Sequence, residues 1–261
     1  MKRTSLGDLL KEHEVGKVEV ERKVEVKNRF GELCREYEEV LEARDYKGKI
    51  KTIDDILAPS DINTFLQTTI TCQQHQNYNW RTGMFISQLI QKSYDAGNNG
   101  FELNTQKVKR LNNLGYQIQG TKRRKIKLKI EGDAGDYCGR NSTDSTTTIG
   151  GNAGDYCGFD SKNSIITIGE NAGNWCGYYS TDSTITIGGN TGNDCGWNST
   201  DSTITIGGNA GNYCGWDSNN STFKIKNKEL YERLKEELNF KKGNRLFLLS
   251  PDGTEIDPKY Y

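Results

Sequence analysis

Cysteine returns every nineteen residues, at Cys138, Cys157, Cys176, Cys195 and Cys214. Each stands in a near-copy of one phrase, Gly-Asp-Ala-Gly-Asp-Tyr-Cys-Gly over 132–139 and Gly-Asn-Ala-Gly-Asn-Tyr-Cys-Gly over 208–215. A β-branched run such as Thr184-Ile185-Thr186-Ile187 separates successive phrases. A fixed period near twenty residues is the signature of a solenoid, whose coils bury their apolar faces only by stacking on one another. The composition agrees. Apolar residues make up 33% of the 261, and 29 are glycine, which is thin for a layered core.

Aligned on the cysteines, the columns fall into register. Leu128, Thr147, Ile166, Ile185, Ile204 and Phe223 form one apolar column, and Ile130, Ile149, Ile168, Ile187, Ile206 and Ile225 another. Between them lie mostly threonines, including Thr184, Thr186, Thr203 and Thr205. Strand side chains alternate between faces, so the isoleucines face a core and the threonines face water. The pattern predicts a mainly-β fold in three parts. Residues 112–226 form a parallel β-solenoid of about six coils, roughly 25–30 Å tall at about 4.8 Å per coil. Residues 1–111 form a helix-rich or α+β domain, and 227–261 a cap of one helix and a β-hairpin.

The flanks read more conventionally. Helices are expected near Leu9 and Leu10, over 28–44, over 61–74 with Ser60 as N-cap, and over 79–94. The run 17–27 alternates valines with charges, a period that suits a strand, while its density of Glu and Lys also suits an exposed helix. Phe101, Leu103 and Thr105 suggest another strand. In the tail, Asn227 caps a helix over 228–238, and a hairpin pairs 245–249 with 254–256 across Pro251-Asp252-Gly253. Lys127, Lys129 and Lys224 replace threonine in the end coils, where lysine would guard an open strand edge.

The net charge is zero but unevenly spread. Residues 131–223 carry eleven acids and two bases, a charge of −9, against +7 before them and +2 after. That surface excludes nucleic acid along the repeats. No apolar run reaches the roughly 20 residues of a membrane span. No secretory leader follows the opening Met-Lys-Arg, and seven cysteines, an odd count, suit a reduced compartment. A cytoplasmic location is expected.

The unit Gly151-Asn152-Ala153-Gly154-Asp155-Tyr156-Cys157-Gly158 carries a Gly-x-x-Gly-x-x-x-Gly pattern, repeated at Gly132/Gly135/Gly139, Gly189/Gly192/Gly196 and Gly208/Gly211/Gly215. The third copy has Glu170 at its first position, where Gly169 is expected to substitute. Over about 113–226 this resembles the right-handed β-helix found in the C-terminal domain of the large chain of glutamate synthase. It equally resembles that of the C subunit of formylmethanofuran dehydrogenase. The resemblance implies a right-handed scaffold that holds other domains or subunits, without chemistry of its own.

Three column sets are candidate sites. The cysteine ladder reads as packing, because a straight line of thiols offers no tetrahedral metal cluster. The threonines Thr184, Thr186, Thr203 and Thr205 resemble the ice-binding face of insect antifreeze proteins. Phe159, Tyr178, Trp197 and Trp216 form an aromatic column above Arg140, and Tyr137, Tyr156, Trp175 and Tyr213 a second, broken by Asp194. Stacked exposed rings suit a sugar or a partner protein. Cys72 and His75 are the sole Cys/His proximity, and the basic run 122–125 leads into the first coil. No catalytic residue, metal site or cofactor is predicted. The expected function is a non-catalytic scaffold or protein-interaction protein whose partner is another protein or complex, with a homo-oligomer left open. The alternatives are a structural subunit of an oxidoreductase-like complex, implied by the resemblance, and an ice- or glycan-surface binder.

Overall fold

Parallel pairing of like residues nineteen apart organises the chain. A computed structural model describes residues 30–256. The expected helix near Leu9 and the expected strand or helix over 17–27 lie outside them. Among the described residues, nine strands form one sheet in sequence order. They are β1 Gly100–Asn104, β2 Ile126–Glu131, β3 Ser145–Ile149, β4 Ile165–Ile168, β5 Thr184–Ile187, β6 Thr203–Ile206, β7 Thr222–Ile225, β8 Arg245–Leu249 and β9 Glu255–Ile256. Strands β1 to β8 pair in parallel, and β9 turns back antiparallel on β8. The apolar columns pair as the alignment predicts: Ile166 with Ile185, Ile185 with Ile204, Ile204 with Phe223. Away from the strands, a second line of bridges joins Thr143, Lys162, Thr181, Thr200 and Asn219. The chain is therefore a mainly-β repeat with an open sheet.

The corners use the glycines in two ways. Gly177 and its copies at 139, 158, 196 and 215 all adopt left-handed φ near +65 to +70°. A Cβ on Gly177 would also lie 2.4 Å from Ile185 Cδ1. The other glycine columns clear space. A Cβ on Gly208 would fall 2.2 Å from Asn190 Oδ1, and one on Gly211 2.3 Å from Asn193 Oδ1. Those amide oxygens accept the backbone N–H of the next coil, Asn190 from Asn209 at 2.7 Å and Asn193 from Asn212 at 2.8 Å. Glycine and asparagine columns are thus one device, in which a missing side chain admits the side-chain acceptor of the coil before it. Glu170 interrupts it. The rung beside it, Asn171 N to Asn152 Oδ1, is 3.2 Å, the longest of its ladder. Gly169 does not stand in for the lost glycine; it belongs to a column of its own, against Gly150 O.

Helices cover the first coils. They are α1 Gly31–Glu42, α2 Tyr46–Lys51, α3 Pro59–Thr68 and α4 Tyr78–Asp95. The apolar stripe Phe85, Ile86, Leu89 and Ile90 of α4 is fully buried, as its spacing requires. Past the end of α1, the Asp45 side chain accepts the Gly48 N–H and caps α2. Two local expectations are corrected. Helix α3 begins at Pro59, with Ala58 rather than Ser60 at the N-cap, because proline has no N–H to orphan in a first turn. It ends at Thr68 and tightens into a 3₁₀ turn over Thr69–Cys72, short of the predicted Gln74.

The sheet extends past the repeat at both ends. β1 lies inside the segment expected to precede the repeat, yet it pairs with β2. Residues 111–125 follow the same path as the coil after them. Asn113, Gly115 and Gln117 take left-handed φ, as do Tyr137, Gly139 and Asn141 twenty-four residues on. At the other end β8 adds a further parallel rung. Helix α5, Lys228–Glu237, is capped by Asn227 Oδ1 on Leu230 N at 2.9 Å and buries Leu230, Tyr231 and Leu234. It stops at Glu237, before the expected Leu238. The end lysines are therefore not edge guards. Lys129 is ion-paired with Glu102 of β1 and with Glu131, and Lys224 with Glu255 of β9. One apolar core runs without a break from Phe30 to Leu248. No helix among the described residues is long and apolar enough to cross a membrane.

Candidate functional site

The corner of each coil sets one side chain inward and its neighbours outward. Cys138, Cys157, Cys176, Cys195 and Cys214 are fully buried, unpaired thiols. Thiol–thiol hydrogen bonds, then burial, hold Cys138, Cys176 and Cys214 well above the ordinary thiol value. The residue before each cysteine has left-handed φ of about +60°. That backbone region disfavours bulky side chains and suits Gly, Asn or Asp. Here it carries Tyr137, Tyr156, Trp175 and Tyr213, with Asp194 the exception.

Stacking offsets that strain. Tyr137 and Tyr156 lie 4.8 Å apart and 3° from parallel, and Tyr156 and Trp175 4.6 Å and 9°. The second column stacks beside it: Phe159 on Tyr178 at 5.4 Å, Tyr178 on Trp197 at 5.8 Å, Trp197 on Trp216 at 5.5 Å. Tyr156 meets Phe159 edge-on, so the columns form one array. Its upper end is open, with Trp216 52% and Tyr213 49% exposed. Two further rings join it that column alignment does not reveal. Tyr179, 44% exposed, packs edge-on to Tyr178 at 4.4 Å. Trp80 of α4 meets Tyr137 at 5.3 Å, so the array begins in the helical segment. Arg140 occupies the first position of the second column. Its guanidinium lies 5.1 Å from the Tyr137 ring and 5.1 Å from the Phe159 ring.

Asp194 leaves a gap in the first column. It is 8% exposed, and its Oδ1 has no hydrogen-bond partner. Burial holds its carboxyl above the usual aspartate range. Burial also raises the Tyr178 phenol, with Tyr179 and then the Asp194 charge adding to it. Around the gap the stack loses order: Tyr178 and Trp197 are 41° from parallel, and Trp197 lies 6.0 Å from Tyr213.

The threonine set lies elsewhere on each coil, on the outer face of the sheet. Thr184 pairs with Thr203 and Thr186 with Thr205. Thr184 is exposed and the other three half-buried. Ile165, 41% exposed, interrupts the first threonine column one coil below. A groove of about 860 Å³ runs from α3 over β1 to β3, lined by Ser60, Asn63, Glu102, Lys129 and Thr148 among others. Its central charge, Lys129, is already held by Glu102 and Glu131.

Cys72 and His75 line a second, smaller groove. His75 Nδ1 accepts the Asn77 N–H at 3.1 Å, which makes Nε2 the protonated nitrogen, and Nε2 donates to Glu42 Oε1 at 2.9 Å. Both ring nitrogens are committed, leaving none to take a proton from the thiol. Half of the basic run at 122–125 is also structural. Arg124 packs 4.2 Å over the Tyr94 ring and donates to Tyr94 O, and Lys125 donates to Asn163 O at 2.8 Å. No group of three or more metal-ligating side chains occurs among the described residues. No family model, no curated protein and no solved structure matches this chain.

Proposed function

We propose that this chain is a non-catalytic interaction scaffold, built as a right-handed parallel β-solenoid, whose contact surface for another protein is the aromatic corner. The observation that carries the reading is the two-column ring array, interrupted at Asp194 in its first column and open at Tyr179, Tyr213 and Trp216. Ordered rings present large apolar area at little entropic cost, and exposed contiguous aromatics mark contact surfaces. The solenoid reading is supported by coil-on-coil bridges outside the strands, and right-handedness by the strong bias of parallel crossovers. The test is capture from a native extract. The intact protein retains a partner at stoichiometric level, and Trp197→Ala with Trp216→Ala loses it while keeping the circular dichroism of the parent. Retention of the same partner by the double variant sinks the reading.

A second reading is a structural subunit of an oxidoreductase-like complex, favoured by the Gly-x-x-Gly-x-x-x-Gly columns and their place at the corners. It requires the captured partner to carry a flavin, an iron–sulfur cluster or molybdenum or tungsten. Ice or glycan binding rests on the in-register Thr184, Thr186, Thr203 and Thr205. It requires thermal hysteresis or glycan retention that Thr184→Tyr and Thr203→Tyr abolish.

A further inference from the structure

Two rings of the aromatic corner turn a face to solvent. Tyr179 is the first. Phe159 and Tyr178 lie 8° from parallel, and each stands nearly perpendicular to Tyr179, at 5.9 and 4.4 Å. Their edges therefore meet one face of Tyr179, and its 44% exposure falls on the other. Trp216 is the second. One of its faces stacks on Trp197 at 16°, and as the last ring of its column it is 52% exposed. Packing does not call for a ring at Tyr179. Its column reads Asn141, Asp160, Tyr179, Asn198 and Asp217, all with left-handed φ, a backbone that suits Asn or Asp better than tyrosine. A bulky side chain held there with one face in water has the marks of a contact group.

Charge selects what those faces take. The face of an aromatic ring is negative and attracts a cation. The coils that carry the rings have a net charge of −9 over 131–223. Asp160 lies one coil below Tyr179, exposed and in no ion pair among the described residues. Asp217 follows Trp216 and is ion-paired with Lys242. At the lower end of the array Arg140 takes a ring's place in the second column, 5.1 Å from both Tyr137 and Phe159. The array thus already accepts one guanidinium, supplied by the chain itself. Guanidinium is planar, stacks on rings and meets a carboxylate with two parallel N–H donors, which an ammonium group does not. Tyr179 and Asp160 offer both contacts together. Tyr179 and Trp216 stand two coils apart, roughly 10 Å, a length that about three residues of extended chain span. We propose that the aromatic corner holds its partner protein through an extended, arginine-bearing segment, with one guanidinium on Tyr179 beside Asp160 and a second, about three residues along, on Trp216.

The test titrates the full chain with acetyl-Gly-Arg-Gly-Gly-Arg-Gly-amide by isothermal calorimetry at low and moderate salt. Copies with lysine or with citrulline at both arginine positions serve as controls; citrulline is flat and uncharged. Binding of the arginine peptide is expected to saturate and to weaken with salt. The lysine peptide should bind severalfold more weakly, and the citrulline peptide should not bind. Tyr179→Asn and Asp160→Asn install residues that neighbouring coils already carry at this column, so the fold is kept. Trp216→Leu keeps apolar packing on Trp197 and removes the ring face. Each ring variant should weaken binding about two- to fivefold, and the two together about tenfold. Asp160→Asn should weaken it and flatten its salt dependence. Failure of the arginine peptide to saturate, binding unchanged in the Tyr179→Asn and Trp216→Leu double variant, or equal binding of the citrulline peptide overturns the proposal. Tighter binding of a proline-rich peptide or of a cello-oligosaccharide also overturns it. The inference rests on reading the aromatic corner as a contact surface for a protein, and the two fail separately. If native capture survives Trp197→Ala with Trp216→Ala while the peptide still needs Tyr179 and Trp216, the scaffold reading fails and the arginine preference stands. If capture is lost but citrulline binds as well as arginine, the surface reading stands and the arginine preference fails.

Discussion

Thr147 and Asp194 each break a column rule, and each break carries an energetic consequence. Thr147 stands in the column of Ile166, Ile185 and Ile204, fully buried, with its Oγ1 unpartnered. A buried hydroxyl without a partner costs about 1–3 kcal/mol. Thr147→Val keeps the shape and removes the hydroxyl, so a gain of about 1 kcal/mol and a higher midpoint in thermal melts are expected; a loss of stability would show that the hydroxyl has a partner. Asp194 is the second. Burial raises its carboxyl above the unfolded value, so the folded state holds the proton more tightly, and stability falls as pH rises from the ordinary aspartate value through the raised one. Asp194→Asn is free of that loss. It is expected to be more stable than the parent at neutral pH, with the difference closing as pH is lowered, in paired melts between about pH 3 and 7.

At the scale of the coil, neighbours are joined by side-chain acceptors as well as by strand pairing. Asn190 receives the Asn209 N–H and donates its own N–H to Asn171 Oδ1. Asn190→Ala removes one acceptor from a solvent-exposed donor, for an expected loss of about 0.5–1 kcal/mol. Nearest-neighbour coupling makes the damage local. Hydrogen exchange should quicken first at Asn209 and the corners beside it, while uniform change along the chain would show that the ladder is not the unit of coupling. These ladders are written in the sequence as glycine and asparagine columns. The glycines are recognisable by repeat, but their task is not: only the distance from a missing Cβ to the amide oxygen shows that they make room for it.

Across the described residues, the parallel sheet is flanked by unlike elements at its two ends. Helix α4 covers the first coils, with Tyr94 Oη donating to Arg124 O and Ser87 Oγ accepting the Gly115 N–H. The tail covers the last ones through Leu230, Leu234 and Leu238. Capping elements are what a stack needs to stay soluble. Leu234→Ala should cost about 2–4 kcal/mol and open the tail before the coils. Exchange would then be fast over 228–249 and still slow over β3 to β6; simultaneous loss of both would mean that the stack and its cap unfold as one unit.

The nineteen-residue period determined by itself the parallel strands, their register and which face each column takes, because a repeat fixes its own neighbours. The aromatic columns and the break at Asp194 were legible for the same reason. Periodicity could not show where the stack begins and ends. β1 and β8 carry no copy of the repeat, and only tertiary pairing places them in the sheet. It also could not show what the end lysines face, because Glu102 and Glu255 come from strands outside the repeat. The properties of the Asp194 gap were likewise decided in three dimensions. A missing ring is visible in one dimension, but burial, an unpartnered oxygen and tilted neighbours arise only when the coils stack.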